Sequence, residues 1–136
     1  MGRVSYLNYK MSIEFIVKAN EGHILIQASG SISTADIKEM RIKTVELLNE
    51  TGIKNYVVDL SKLISIEELS TYTTYMLGKE FKNIKFPLST KTAVILPVEE
   101  ATREQVKFMH IVEINRMRGP LEYVTSYEEA LEWFGT

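Results

Sequence analysis

Hydrophobic and polar positions change their spacing several times along this chain, and each change marks an element. Ile13, Phe15 and Val17 alternate with Ser12, Glu14, Ile16 and Lys18, the period of a strand with one buried face. Asn20-Glu21-Gly22 supplies turn residues, and His23 to Ala28 reads as a second strand. Together they predict a β-hairpin. Ser33 or Thr34 then caps a helix in which Ile37, Met40, Thr44 and Leu48 share a face, with Leu47 beside them and Asp36 in the first turn. Gly52 closes it. The run Tyr56-Val57-Val58-Asp59-Leu60 reads as a buried strand that ends near Asp59 and Ser61 and delivers a loop at the carboxyl edge of a sheet. Open α/β sheets commonly bind ligands at that edge.

A second helix is expected to start near Ser65 or Ile66. Leu69, Thr73 and Met76 mark one face, Leu77 stands at its edge, and Tyr72 and Tyr75 lie to the side. Phe86-Pro87 breaks the pattern. Thr92 to Leu96 has the look of a central strand covered on both faces, ended by Pro97. A third helix runs from Ala101 or Thr102 to about Arg118 and stops at Gly119-Pro120. Leu121 to Val124 gives a short strand. Ser126-Tyr127-Glu128-Glu129 fits a capping box, with Glu129 reaching back, and Ala130, Leu131, Trp133 and Phe134 give the last helix its apolar side. Residues 1–11 show no clear period and read as an N-terminal extension, with residues 12–136 as one domain. The order ββαβαβαβα predicts a single α/β domain with a mixed, mostly parallel sheet, an antiparallel edge hairpin and flanking helices.

Composition narrows the function classes. A chain of 136 residues suits one core, and at this size roughly 68% of the unfolded surface is buried without staples. With no cysteine, disulfides, thiolate metal sites and thiol nucleophiles are excluded. Sixteen basic against eighteen acidic residues give no electrostatic footprint for nucleic acid. No apolar run of membrane-spanning length and no signal-peptide core is seen, so a cytoplasmic protein without an integral membrane segment is expected.

Three stretches resemble the STAS domain (sulfate transporter and anti-sigma-factor antagonist). Val57-Val58-Asp59-Leu60-Ser61 is similar to the strand-3 Asp-Leu-Ser of the antagonists. Tyr123 to Phe134, with Glu128-Glu129-Ala130-Leu131-Glu132-Trp133, looks like the close of the small SpoIIAA-like proteins. The long third helix with Met109, Arg116 and Met117 before Gly119 is the third stretch. The resemblance covers about residues 12–135. It implies the STAS fold, a regulatory or protein-interaction role without catalysis, and a relationship to lipid-binding CRAL-TRIO domains. One position departs from the pattern: where antagonists carry a phosphorylatable Ser at the start of the second helix, this chain has Leu69, with Ser65 and Ser70 displaced from it.

Individual residues add little chemistry. Asp59 suits a cap for the second helix as well as a functional acid. Glu67 and Glu68 are adjacent, so on a helix they point about 100° apart and do not converge on one substrate atom. They suit a helix start or a charged partner surface. His110 and Glu113 stand one turn apart, yet two histidines in the whole chain give no metal constellation, and a half-exposed or hydrogen-bonded His110 is expected. Arg103, Arg116 and Arg118 suit an anionic headgroup or helix-end electrostatics. Phe108, Ile111 and Val112 project opposite Val106, His110 and Met117, leaving the third helix apolar on most sides, which implies either burial by the chain's own other elements or a second occupant, a sister subunit in a homodimer or an apolar ligand. No catalytic, cofactor or metal residues are assigned. The partner or ligand surface is assigned to Asp59, Ser61, Glu67, Glu68, Tyr72, Tyr75, Phe108, Ile111 and Val112. Two occupants are considered, an unidentified protein partner or a small apolar ligand such as a lipid held between helices and sheet, where Tyr72, Tyr75, Met76, Met109 and Met117 would line the pocket.

Overall fold

The computed structural model describes residues 4–10, 12–67, 69–80, 84–113 and 119–135, with side chains in all of these except 4–10 and 111–113. The described elements are strands β1 (Val4–Lys10), β2 (Ile13–Lys18), β3 (His23–Ser33), β4 (Asn55–Glu67), β5 (Lys91–Ile95) and β6 (Leu121–Val124), with helices α1 (Thr34–Thr51), α2 (Thr71–Glu80), α3 (Glu100–Glu113) and α4 (Tyr127–Phe134). They form one sheet in the order β1-β2-β3-β4-β5-β6. The first two pairings are antiparallel and the other three parallel. The α/β class, the hairpin and the alternation of strand and helix are thus as the sequence reading has them. Residues 4–10 differ: read as lacking a period, they form an added edge strand on β2.

Spatial order equals chain order, so crossovers of one hand, right-handed by the general rule, put α1, α2 and α3 on the same face. Ile37, Met40, Leu47 and Leu48 of α1, Leu77 of α2, and Val106 and Met109 of α3 pack there against Ile13, Phe15, Ile24, Ile26, Tyr56, Val58 and Val94. The alternate sheet positions, Leu25, Val57, Ala93, Ile95 and Val124, meet Ala130, Tyr127, Trp133 and Phe134 around α4 on the other face. Because the order never reverses, the sheet has no topological switch point, and so none of the crevice that serves dinucleotide-binding folds.

Local signals explain the helix ends. Ser33 Oγ accepts from Asp36 N while the Asp36 carboxylate accepts from Ser33 N, a closed capping box for α1. Gly52 ends it at φ +74°, a left-handed conformation that favours glycine. At α4, Ser126 Oγ accepts from Glu129 N as expected. The Glu129 carboxylate reaches one residue further than the box requires and accepts from Thr125 N and Oγ1. These bonds, hydroxyl first, hold its carboxyl below the usual range.

The largest departure from the sequence reading lies after Asp59. β4 does not end there. β5 stops at Ile95, level with Asp59, but β3 and β4 run on together to Ser33 and Glu67. The helix expected from Ser65 or Ile66 starts instead at Thr71, where Ser70 and Thr73 exchange hydrogen bonds. Two bulges shape the extension. Gln27 to Ser29 opposes Asp59 to Lys62, and Gly30-Ser31 opposes Leu63 to Ser65, so β4 carries one extra residue at each place. Bulges bend a strand and raise its twist. Here they turn Leu60, Leu63 and Ile66 all inward.

Candidate functional site

Both bulges leave backbone groups outside the ladder, and side chains satisfy them. Asp59 Oδ1 accepts from Ser61 N at 3.0 Å and from Ser61 Oγ at 2.7 Å, clasping the first bulge. Asp59 therefore sits within a strand and serves its own backbone, a correction to its expected place at a strand end capping the second helix. At the second bulge, Thr102 Oγ1 of α3 donates to the carbonyl of Ile64 at 2.6 Å. This bond ties the start of α3 to the extended ribbon.

The outward face of the first bulge is polar. Ser12, Glu14, Gln27, Ser29, Asp59 and Lys62 line a cavity of about 120 Å³ on the α4 side of the sheet. The eight-residue α4 covers the β4–β6 end and leaves this part open. Glu14 and Gln27 were legible as polar members of alternating strands, but nothing in their spacing foretold that a bulge would gather them with Lys62.

The residues assigned to a partner surface do not form one site. Tyr72 and Tyr75 are 71% and 63% exposed on the outer side of α2, and Phe108 is exposed on α3. All three ride on helices covering the face opposite to the Asp59 cavity. The tyrosines are turned outward, not toward a pocket between helices and sheet, where the aliphatic core packs instead. Glu67 is exposed at the end of β4 and Ser61 half-buried in the first bulge. Leu69, at the expected phosphoacceptor position, is half-buried against the core. Glu68, Arg116, Met117 and Arg118 lie outside the described residues, as do the side chains of Ile111, Val112 and Glu113. The sequence reading passed over two exposed apolar residues at the carboxyl edge, Ile64 (63% exposed) and Val98 (77%). Arg103 donates to the Val98 carbonyl at 2.8 Å.

Of the two expectations for His110, half-exposed or hydrogen-bonded, the second holds: it is buried, at 3% exposure, with both ring nitrogens engaged. Its Nε2 lies 3.4 Å from Arg41 Nη2 and its Nδ1 lies 3.0 Å from the Tyr123 hydroxyl. A guanidinium can only donate, so Nε2 accepts and Nδ1 carries the proton. Burial first, and the Arg41 charge second, push its pKa down to about 3. The ring is neutral with both nitrogens engaged, which suits it to a core joint between α1, α3 and β6. The second histidine, His23, is buried under α4. It bonds the Tyr127 hydroxyl, and Lys18 lies over the Tyr127 ring, 5.0 Å from its centre. Burial lowers the His23 pKa. Among the described residues, no three His, Asp or Glu side chains converge as metal ligands, and no helix is long and apolar enough to cross a membrane.

No protein-family model and no curated protein matches the chain. Several solved structures are similar to it, two of them as follows. An uncharacterized protein of the DUF3478 family with a SpoIIAA-like fold, from Shewanella loihica PV-4, is 14% identical over 98% of this chain and 94% of its own, with a TM-score of 0.46. The anti-sigma factor antagonist SpoIIAA in its unphosphorylated form is 11% identical over 99% and 98%, with a TM-score of 0.49. Identities this low transfer no residue role. The strand and helix order is that of a single α/β domain with a mixed, mostly parallel sheet and flanking helices, as the sequence pattern implied.

Proposed function

We propose that the chain is a non-enzymatic regulatory or protein-interaction module of the cytoplasm. Its partner surface would comprise the outer side of α2 and α3 and the adjoining carboxyl edge of the sheet. The observation that carries this reading is the set of large apolar side chains held in solvent there: Ile64, Tyr75, Val98 and Phe108, with Tyr72 at the border. Aromatic side chains on a rigid helix make strong interface anchors because they bury much area at small entropic cost. Glu67 adds a charge at the rim. Asp59 and Ser61 move from the surface to its support, because they shape the ribbon that presents Ile64 and Glu67.

The carrier reading gains no observation in its favour. It needed Tyr72 and Tyr75 to line an internal chamber, and both are turned outward.

The test is affinity capture from the chain's own host, comparing wild type with Tyr75→Ser/Phe108→Ala at equal loading, with circular dichroism to check folding. The expected result is a specific protein retained by the wild type and depleted at least about tenfold by the variant, as loss of an anchor of about 1.4 kcal/mol or more requires. Equal retention by a folded variant would refute the surface. Native mass spectrometry of gently purified protein supplies the other arm: a small molecule lost on denaturation would replace this reading with the carrier.

A further inference from the structure

The outer side of α1 is self-complementary, and we infer that it joins two copies of this chain about a twofold axis that crosses the helix between Lys38 and Glu39. The inference goes beyond the partner surface of α2 and α3 and does not rest on it. It also places self-association on α1 instead of the third helix.

Three observations fit together. First, Ile42 is a large apolar side chain 38% exposed in the middle of this surface. With Ala35, Lys38, Glu39, Lys43 and Glu46 it walls a depression of about 480 Å³. Second, a further depression of about 290 Å³ opens beside it, lined by Ala35, Lys38, Tyr72, Met76 and Leu77 among others. The two depressions share Ala35 and Lys38, so a knob at Ile42 and a hole over Ala35 adjoin on one surface. Seven residues separate them, or roughly 10.5 Å along the helix. Third, the charges between knob and hole are of opposite sign and adjacent.

A twofold axis exchanges equivalent positions in an isologous contact, so residue i meets j and j meets i. With antiparallel α1 helices crossing at the 38/39 midpoint, position 35 faces 42 of the second copy and 38 faces 39. Ile42 of each copy then enters the other's hole at Ala35, whose small side chain allows close approach. Each Lys38 ammonium meets the other copy's Glu39 carboxylate. Lys38 also stands 3.6 Å from Glu80 on its own chain, which holds its head at the edge of the hole. No axis elsewhere on α1 brings knob to hole and pairs opposite charges at once: centred on Ile42 itself, Ile42 would meet Ile42 and Ala35 would face Asn49.

The test uses the full chain, whose lack of cysteine makes engineered thiols unambiguous. Ala35→Cys and Ile42→Cys are prepared separately, mixed and oxidised. The expected product is a disulfide-linked dimer in the mixture and little in either variant alone, because 35 faces 42 and not itself. Sedimentation equilibrium gives the second readout. Glu39→Lys, which sets two ammonium groups face to face, should weaken the dimer about tenfold. Adding Lys38→Glu should recover most of that loss, less what the new repulsion with Glu80 removes. A wild type that stays monomeric at every concentration overturns the proposal. So does equal cross-linking of like and unlike cysteines, or a dimer indifferent to both exchanges. If an exchange variant fails to fold by circular dichroism, the cross-linking result decides.

Discussion

Acid should unfold this protein partly through one histidine. His110 titrates at about 3 in the folded chain because burial and Arg41 both oppose its charge, whereas an exposed imidazole titrates near 6.5. Between those values the unfolded state binds more protons than the folded one. Stability is therefore fully present above about pH 6.5 and is lost as the pH falls toward 3. At pH 4.5 the lag is two pH units below the unfolded value, and at about 1.36 kcal/mol per unit the loss is roughly 2.7 kcal/mol. Carboxylates and His23 add their own pH dependence, so the informative quantity is a difference between proteins. Urea unfolding at pH 7.5 and 4.5 would be compared for the wild type and His110→Gln, a non-titrating amide that keeps an acceptor for Arg41 and a donor for Tyr123. The variant starts less stable but should lose about 2.7 kcal/mol less than the wild type between the two pH values. Parallel losses in the two proteins would refute the reasoning. With two histidines in the chain, nuclear magnetic resonance gives a direct check: one ring must fail to titrate until the pH drops well below 5.

Three further predictions concern the ribbon and a close approach. Thr102→Val keeps shape and removes the donor to the Ile64 carbonyl at the second bulge. It should cost about 1–2 kcal/mol by urea denaturation, and no change in midpoint would mean that another donor serves that carbonyl. Gly30 holds φ +70° with open space around it, so Gly30→Ala should cost about 1–2 kcal/mol from backbone conformation alone. At Gly119, an added Cβ would stand 1.9 Å from the Thr90 carbonyl oxygen, so Gly119→Ala should be the more damaging change; the reverse ranking in thermal melts would contradict it.

The elements with one period and a side-chain cap were legible in the sequence, as α1 and the β2–β3 hairpin illustrate. The stretch from Asp59 was misread for a physical reason. An unbroken strand has a period of two, but two extra residues in β4 leave Leu60, Leu63 and Ile66 inward at intervals of three. With Leu69 next in the series, that spacing imitates one face of a helix. Pairing with β3 overrides the local pattern, and pairing across thirty residues is not written in either segment. The site suffered the same way. Exposure of Tyr72 and Tyr75 depends on where α2 begins, and the separation of Asp59 from them depends on which sheet face each serves. The buried joint of Arg41, His110 and Tyr123 joins residues from three elements, and spacing within any one of them carries no trace of it.

The agreement between chain order and spatial order bears on how the molecule is made. Each parallel strand from β4 onward pairs with the one synthesised just before it, so a growing chain finds its next partner already in place. Every crossover closes between sequence neighbours, which keeps loop-closure entropy small and suits folding from the N-terminus during synthesis. Until α4 emerges, the second face of the sheet, with Leu25, Val57, Ala93 and Ile95, stands bare. Docking of α4 is thus the step that covers this adhesive face, and a released chain truncated after Val124 should be the species that chaperones hold.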